Sequence, residues 1–228
     1  GLFKTTDAGT RWRQLDIDFP DAPVIAPSNP QVLYQPPAGN GLLRSRDGGR
    51  RWRRSASARQ VGRCGSGFVI DPADPMVLYC GSDHGVLVSR NGGTRWRVLP
   101  GSPTDVWVMA IGPGPGTCLV VATREHGLRR FDGVAWAPMA TPEGPAITDL
   151  QIVDGDGRVL YASLADRLVR TTDGGASWQA LPSAWPRFSL STFAVDRRAS
   201  DVVFAGGSAG LFVSEDGGST CARRMTGI

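Results

Sequence analysis

The stretch Thr171-Thr172-Asp173-Gly174-Gly175-Ala176-Ser177-Trp178 decides how this chain folds, because variants of it return along the whole sequence of 228 residues. Each copy has a hydroxyl residue two positions before an Asp or Asn, a Gly two positions after it and usually a Trp five positions after it. The Asp or Asn anchors are spaced 40 to 44 residues apart and stand at Asp7, Asp47, Asn91, Asp132 (a worn copy), Asp173 and Asp216. A period of this length indicates a solenoid, a propeller or an array of repeats.

Each copy is predicted to be a hairpin turn, because a short apolar run precedes it and another strand-like run follows it. An Asp or Asn side chain can accept hydrogen bonds from backbone N–H groups one or two residues on, and Gly supplies the positive φ of the turn. We therefore expect Asp47, Asp173 and Asp216 to accept backbone hydrogen bonds inside their own turns. The Trp that opens the outgoing strand is expected to be a buried apolar plug.

Five of the six copies fit the pattern S/T-x-D-x-G-x-x-W well, and the set resembles the Asp-box, or bacterial neuraminidase repeat. Asp-box β-propellers include sialidases, xyloglucanases, sortilin-type receptors and photosystem II assembly factors. The resemblance implies that the box residues Asp7, Asp47, Asn91, Asp173 and Asp216 are structural and lie away from the ligand face. It implies a fold and leaves the activity open.

Each full repeat contains four strand-like runs, which is the content of one propeller blade. The sequence predicts one all-β propeller domain with a half blade at 1–16 and complete blades at about 22–56, 64–100, 106–140, 147–182 and 187–228. We expect the chain to be part of a six- or seven-bladed ring, with the inner half of the first blade supplied by absent polypeptide or by another chain. The alternative is a five-bladed body that carries an extra hairpin.

Two blades depart from the repeat. In the blade at about 106–140, Arg130 stands in place of the hydroxyl residue and Trp136 comes one position early. An Asp-Gly hairpin remains there, and its sequence favours the primed turn types. In the last blade Cys221 replaces the Trp, which predicts poorer packing at that turn.

The composition suits short strands and many turns, with 30 Gly, 17 Pro and a formal net charge of +4. No apolar run is long enough for a membrane span, and no signal-peptide pattern opens the chain. Cys64 and Cys80 lie close enough along one repeat to bond, but buried thiols are the favoured interpretation, and no cysteine spacing predicts a cofactor or a metal. We expect an extracytoplasmic location, periplasmic or secreted, although no targeting pattern specifies it.

Two loops on the expected ligand face carry the two histidines of the chain. Asp83-His84 and Glu125-His126 occupy equivalent positions in neighbouring blades, each directly before the Gly that opens a third strand. Together with Arg124 they are predicted to bind a polar ligand or a metal. The alternative is that they are ordinary solvated loop residues.

A catalytic role has weaker support. Asp105 and Asp149 head inner strands on the same face and are the best pair of carboxylates for glycoside hydrolysis. The tyrosines at 34, 79 and 161 all follow a Leu at one repeated strand position, which favours a core role over that of a nucleophile. We therefore predict no catalytic residue, and keep a sialidase- or xyloglucanase-like glycan-binding or glycoside hydrolase propeller as the alternative.

Arginines flank the Trp of the early boxes and predict a cationic surface, here called the arginine rim, which consists of Arg50, Arg51, Arg53, Arg54, Arg95 and Arg97. Arginine on an outermost strand also protects that edge against aggregation. The rim could dock an acidic protein segment, whereas nucleic acid is a less favoured partner. The sequence therefore favours a non-catalytic binding or assembly module with a protein partner, and a glycan remains possible.

Overall fold

A computed structural model of the protein describes residues 2–7, 9–15, 22–37, 41–62, 64, 67–114, 116–182, 185, 190–196 and 199–224. Regular structure in these residues comprises twenty-two strands and one short helix, so the all-β prediction is confirmed. The chain divides into two compact units, Gly1–Ser102 and Pro103–Ile228, and each is described by itself. None of the described helical residues forms an apolar helix long enough to cross a membrane.

The first unit contains one two-stranded sheet and two four-stranded antiparallel sheets. The two-stranded sheet pairs β1 (Leu2–Lys4) with β2 (Arg13–Leu15). The second sheet consists of β3 (Val24–Ile25), β4 (Leu33–Gln35), β5 (Leu42–Ser45) and β6 (Arg53–Ala56), and helix α1 (Ala58–Val61) follows it. The third sheet consists of β7 (Phe68–Ile70), β8 (Leu78–Ser82), β9 (Gly85–Ser89) and β10 (Arg97–Val98).

The second unit contains three four-stranded antiparallel sheets. They comprise β11 (Val106–Ile111), β12 (Leu119–Thr123), β13 (Gly127–Phe131) and β14 (Trp136–Pro138), then β15 (Ile147–Ile152), β16 (Leu160–Leu164), β17 (Leu168–Thr171) and β18 (Gln179–Ala180), and finally β19 (Leu190–Val195), β20 (Val203–Gly207), β21 (Gly210–Ser214) and β22 (Ala222–Arg224). All five four-stranded sheets pair their strands in chain order, as in a propeller blade. The predicted blades are therefore confirmed, whereas the single domain and the number of blades in a full ring stay predictions.

Two side chains, the hydroxyl residue and the Asp, form the hydrogen bonds of each Asp-box turn. The box at Asp173 is a representative example. The Thr171 hydroxyl accepts from the N–H of Asp173 and of Gly175 and donates to the Asp173 carboxylate at 2.6 Å. Asp173 Oδ1 in turn accepts the N–H of Ser177 at 3.0 Å. The equivalent carboxylates accept in the same way from the fourth residue on, at 2.8 Å for both Asp47 and Asp216. Backbone acceptance is confirmed, but the expectation that it reaches one or two residues on is wrong for these bonds.

Four of the boxes also bind the turn between the first two strands of their own blade. The N–H of the first box glycine donates to that turn, and the donors are Gly48, Gly92, Gly174 and Gly217 with distances of 2.8–2.9 Å to the carbonyls of Gln31, Met76, Arg158 and Asp201. This repeated bond confirms that the box and this turn lie on one side of the blade. The loops between second and third strands, and the links between blades, consequently lie on the other side.

A cation just before the box position connects each blade with the next one in the same unit, a pattern absent from our sequence-based expectations. Lys4 Nζ donates to the carbonyl of Gly48 at 2.8 Å, and Arg170 Nη1 donates to that of Gly217 at 3.3 Å. Arg130 donates to the carbonyls of Asp156 and Gly157 at 2.6 and 2.8 Å. Arg44 points at Gly92, where a Cβ atom would collide with its guanidinium.

The hydrophobic cores lie between consecutive blades of a unit. Buried residues of β4 and β8 form one core, those of β12 and β16 form another, and those of β16 and β20 contribute to a third. The tyrosines at 34, 79 and 161 are fully buried, so their predicted core role is confirmed. Tyr161 also donates its hydroxyl to the carbonyls of Ser200 and Gly217 in the following blade.

The second glycine of four boxes, Gly49, Gly93, Gly175 and Gly218, lies against the preceding blade. At Gly175, where φ is +85°, an added Cβ would collide with the side chain of Met139. Leu15, at the end of β2, packs in the same way against Gly49. A positive φ and a close neighbour both require glycine here.

The box tryptophans are less buried than predicted. Trp12 is 62% exposed, and Trp52, Trp96 and Trp178 are half-buried. Each begins an outermost strand, so the rest of the blade covers only one side of the indole. The indole N–H groups of Trp52 and Trp96 donate to the carbonyl of the second glycine of their own boxes, at 3.1 and 2.8 Å.

In the last blade another tryptophan replaces the missing one. Trp185 is buried, and its indole N–H donates at 2.8 Å to the carbonyl of Gly218, the second glycine of that box. Cys221 packs, half-buried, against the same core. The expectation of poorer packing is therefore wrong, because Trp185 approaches from the preceding link and fills the place.

The strand register shows that aligning the degenerate box at Asp132 from the sequence places Arg130 wrongly at the hydroxyl position. Phe131 pairs with Leu119, just as Thr171 pairs with Leu160 and Ser45 with Leu33. Phe131, and not Arg130, therefore occupies the hydroxyl position, and Phe131 pairs directly with Trp136 across a hairpin shortened by two residues. Gly133 has the positive φ, +98°, that the Asp-Gly sequence predicts.

Cys64 and Cys80 form a disulfide, with their Cα atoms 5.2 Å apart, so the favoured interpretation of buried thiols is wrong. Cys64 lies in the connection between α1 and β7, where Gly67 N–H donates to the Cys64 carbonyl. Helix α1 follows Ser57, whose backbone N–H and hydroxyl both donate to the side-chain oxygen of Gln60, at 2.9 and 3.0 Å. The sequence did not predict this helical turn, which precedes Cys64.

Candidate functional site

A cleft of about 440 Å³ opens in the second unit, on the side of the blades opposite the boxes. We call it the Trp107 cleft. Strand β11 contributes Trp107, the end of β12 and its loop contribute Thr123 and Arg124, and the blade link contributes 141–147 except for Glu143. Its volume lies within the range of small-ligand sites.

Trp107 faces the cleft because of a β-bulge. Val106 pairs with Thr123 and Val108 pairs with Ala122, so Trp107 is an extra residue between two paired positions. A bulge bends its strand and redirects a side chain, and bulges are common beside binding sites. The next two inner strands repeat the shift, with Thr148 and Ser191 as the unpaired residues.

The blade link is held at the cleft by Thr141. The Thr141 hydroxyl accepts the backbone N–H of Leu128 at 3.1 Å, which leaves its own hydrogen free to donate elsewhere. Gly127, with φ of +65°, lies so close to this hydroxyl that an added Cβ would collide with it. Pro142 and Pro145 restrict the backbone of the link.

The two histidine loops share a hydrogen-bond pattern but differ in length, with two residues between Ser82 and Gly85 and three between Thr123 and Gly127. His84 N–H donates to the Ser82 hydroxyl at 3.3 Å, and His126 N–H donates to the Thr123 hydroxyl at 2.9 Å. In each loop that hydroxyl also donates to the carbonyl of the following glycine. Each histidine directly precedes the glycine that opens the third strand of its blade, and Asp83, Arg124 and Glu125 are exposed beside them.

The predicted shared site of these loops stays a prediction, because His84 lies in the first unit and His126 in the second. The described residues contain no group of three or more His, Cys, Asp or Glu side chains arranged to hold a metal ion. Of the five predicted ligand-binding residues, Arg124 lines the Trp107 cleft.

Asp105 and Asp149 both lie at inner strands of the second unit, and strands β11 and β15 contact each other. Asp105 precedes β11 with φ of +55°, the one non-glycine residue with a positive φ in the described part of the chain. Asp149 is half-buried; burial raises the pKa of its carboxyl, against the lowering effect of a hydrogen bond from Leu150 N–H. A protonated carboxyl is one requirement of an acid catalyst, and the pairing of the two aspartates stays a prediction.

The first unit carries a cationic groove of about 300 Å³, lined by Val88, Arg90, Asn91, Arg95, Trp96 and Arg97. We call it the Trp96 groove. Its three arginines are exposed, and Trp96 is half-buried at its base. The other members of the arginine rim, on and before β6, are exposed as well.

The positive charges of the groove arginines are not neutralised by carboxylates of the described residues. Ion pairs among the described residues involve Arg167, Arg170 and Arg224 only. The groove arginines therefore have no carboxylate within ion-pair distance in the part of the chain described.

Comparisons with known proteins agree with this geometry. No protein-family model matches the sequence. A xyloglucanase of Paenibacillus is 31% identical over 148 residues, which are 62% of this chain and 13% of that enzyme. The structure of a GH74 xyloglucanase from Xanthomonas campestris superposes with a TM-score of 0.67 at 22% identity, over 89% of this chain and 38% of that one.

The third relative is YCF48. The structure from Cyanidioschyzon merolae has a TM-score of 0.61 at 17% identity and covers 85% of this chain and 69% of that one. A YCF48 bound to D1 peptide has a TM-score of 0.62 at 19% identity and covers 96% and 72%. This chain has the β-propeller fold. Its blades resemble both groups, although it spans well under two thirds of the xyloglucanases and slightly more than two thirds of the YCF48 structures.

Sequence-based reasoning missed most of the propeller's cleft. Trp107 lies within an apolar run and has no sequence signal that distinguishes it from core. The Thr-Pro-Glu-Gly-Pro link at 141–145 is visible in the sequence as a restricted connection, because its two prolines fix the backbone φ angle at both positions.

Proposed function

We propose that this propeller is a non-catalytic binding module that docks an acidic segment of a partner protein outside the cytoplasm. The docking surface consists of the Trp96 groove and the adjoining arginine rim. One observation carries the proposal: three exposed arginines surround a half-buried indole and have no internal carboxylate partner in the described chain.

The chemistry of the groove suits a carboxylate-bearing segment. A guanidinium presents a planar set of donors that matches a carboxylate in a bidentate pair, and it never loses its charge at physiological pH. A partly covered Trp adds an apolar anchor, and Trp and Arg are the residues that dominate binding energy at protein interfaces. The formal net charge of +4 adds long-range attraction to an acidic partner.

The comparisons support the docking of a peptide, and the disulfide supports a location outside the cytoplasm. The YCF48 of similar fold is bound to a peptide, which makes peptide docking a use of this architecture in that protein. The Cys64–Cys80 disulfide supports an oxidising compartment, where such bonds persist.

The test uses a fluorescently labelled peptide of alternating Asp, Glu and Leu, with binding measured by anisotropy at low and at physiological salt. The double variant Arg95→Glu/Arg97→Glu is expected to lose binding. The double variant Arg158→Glu/Arg223→Glu, at two exposed arginines of the second unit, changes the net charge by the same amount and should retain most of the binding.

Two results would overturn the proposal. Equal loss in the Arg158→Glu/Arg223→Glu control would mean that net charge, and not the groove, attracts the peptide. Equal affinity for a single-stranded DNA of the same charge would mean that the surface recognises any polyanion.

A second candidate function is that of a glycan-binding or glycan-hydrolysing propeller. It has the support of the 31% identity to the Paenibacillus xyloglucanase and of the raised pKa of Asp149. Incubation with xyloglucan, followed by a reducing-sugar assay, tests it. Activity that Asp149→Asn abolishes while the melting temperature stays unchanged would favour this candidate, and the absence of both binding and activity would exclude it for xyloglucan.

A further inference from the structure

We propose that the Trp107 cleft is a second, independent site that binds a small ring-bearing carboxylate of the benzoate class. The cleft belongs to the second unit alone, whereas the Trp96 groove belongs to the first, so the two sites use no common residue. The inference does not rest on protein docking.

The apolar part of the cleft suits a flat ring. Trp107 is only partly buried, and the bulge in β11 turns its indole away from the regular pairing of the strand. Indole faces form offset stacks with other planar rings. Pro142, Pro145 and Ala146 line the cleft without adding any side-chain donor or acceptor.

The polar part of the cleft suits one anionic group. Arg124 is exposed at the end of β12 and has no ion pair among the described residues. Its neighbour Glu125 is exposed and does not line the cleft. A carboxylate at Arg124 would therefore meet no competing acid in the lining.

The other cation near the link, Arg167, is already partnered. Arg167 lies beside Gly144, donates to the carbonyl of Glu143 at 2.6 Å and pairs with Asp166 at 2.9 Å. Arg124 is thus the cation of this cleft that remains available. The hydrogen of the Thr141 hydroxyl can donate to a second oxygen of the ligand, because its lone pair already accepts from Leu128.

The three features together select the ligand class. A neutral ring would leave Arg124 without a partner, and a small acid without a ring would leave the Trp107 face uncovered. A polyhydroxylated sugar would find few polar side chains in a lining dominated by Trp, Pro, Ala and Ile. A planar ring that carries a carboxylate uses both the indole and the guanidinium.

The experiment compares benzoate with benzamide and acetate, by titration calorimetry and by quenching of tryptophan fluorescence. Benzamide has the ring without the charge, and acetate has the charge without the ring. We expect benzoate to bind at least about tenfold more tightly than either, because a hydrogen bond to a charged group contributes that much.

Three variants complete the test. Arg124→Gln should reduce benzoate affinity to that of benzamide, and Trp107→Phe should keep the preference for a ring while weakening the quenching signal. Glu125→Gln is the matched control, since this exposed neighbour lies outside the cleft, and it should bind benzoate at least as well as the parent protein.

Equal binding of benzoate and benzamide, or unchanged benzoate binding by Arg124→Gln, would overturn the proposal. Arg95→Glu/Arg97→Glu should leave benzoate binding intact. This comparison keeps a failure of the second site separate from a failure of protein docking.

Discussion

The indole N–H of Trp185 donates to the carbonyl of Gly218 at 2.8 Å, across 33 residues of chain. Trp52 and Trp96 make the equivalent bond within their own boxes, to Gly49 and Gly93. The last blade thus keeps the bond although its own box ends in Cys221. A tryptophan from the link has taken over a function that elsewhere belongs to the repeat.

This replacement predicts a rescue. Trp185→Ala should lower the free energy of unfolding by about 3–5 kcal/mol, as truncation of a buried Trp does. Cys221→Trp should restore part of that loss in the Trp185→Ala background, yet destabilise the parent protein through overpacking. Denaturant unfolding of the four proteins measures the coupling. Additive effects of the two substitutions on the free energy of unfolding would show that the side chains at 185 and 221 do not occupy the same space in the core.

The hydroxyl residue of the box is the subject of the second prediction. Thr171 is 2% exposed, and its oxygen accepts the N–H of the buried Gly175. Thr171→Val should cost about 1–3 kcal/mol, because it leaves that N–H without a partner. Thr171→Ser keeps the oxygen and should cost much less. Equal melting temperatures for the Val and Ser variants would contradict the role of the hydroxyl.

Acid should weaken the boxes in a defined range of pH. Hydrogen bonds from the hydroxyl and the backbone of Thr220 lower the pKa of Asp216 to about 2, and the Ser177 and Thr171 side chains lower the pKa of Asp173 further. A carboxyl with a lowered folded-state pKa stabilises the fold above its unfolded pKa of about 4. That stabilisation should decline as the pH falls from about 4 through about 2.

The box at Asn91 shows that an amide can replace the carboxylate in this turn. Asn91 accepts the same backbone hydrogen bond, from Arg95 N–H at 2.9 Å, and an amide does not titrate. The double variant Asp173→Asn/Asp216→Asn should therefore show a flatter decline of the unfolding midpoint between pH 4 and pH 2. An identical decline in parent and variant would assign acid sensitivity to other groups.

Reduction of the disulfide should destabilise the first unit. The bond joins positions 16 residues apart, and closing a loop of this size contributes about 3 kcal/mol in the chain-entropy account. Cys64→Ala/Cys80→Ala should lower the free energy of unfolding by a similar amount. Addition of dithiothreitol should affect the parent protein and leave the double variant unchanged; an effect on both would point to a different disulfide.

Two glutamines should respond to the same substitution with opposite signs. Gln35 is 3% exposed, and among the described residues neither of its amide atoms has a hydrogen-bond partner. Gln151 donates to the Phe193 carbonyl at 2.8 Å and accepts from Val195 N–H at 3.1 Å. Gln35→Leu should stabilise the protein by about 1–3 kcal/mol, and Gln151→Leu should destabilise it, because only the second leaves backbone groups unpaired. Thermal unfolding decides the signs.

The sequence predicted the repeating parts of the fold well, because their signals are local. The blades expected at about 106–140 and 147–182 correspond to the sheets β11–β14, from Val106 to Pro138, and β15–β18, from Ile147 to Ala180. The box turns followed from Asp and Gly chemistry within eight residues. Apolar runs of this length between turn residues leave few alternatives to a strand.

The parts that sequence reasoning missed depend on contacts between distant segments. The position of Phe131 in its blade is defined by pairing with Leu119, not by counting from Asp132. The disulfide depends on how the connection after α1 approaches β8, and the role of Trp185 depends on a box that follows it by about thirty residues. The Trp107 cleft likewise exists because one strand contains an unpaired residue, which no composition or periodicity reveals.

The shortened hairpin between β13 and β14 has a practical consequence. Its tip carries Val134, which is 89% exposed, and the nearest atom to a Cβ added at Gly133 is the carbonyl oxygen of Thr117, 3.6 Å away. The connection to the next blade is made by Arg130, which lies outside the tip. A foreign epitope or a labelling tag grafted between Gly133 and Val134 should therefore be displayed in solvent, and this loop is a suitable point of immobilisation that lies outside the lining of the Trp107 cleft in the same unit.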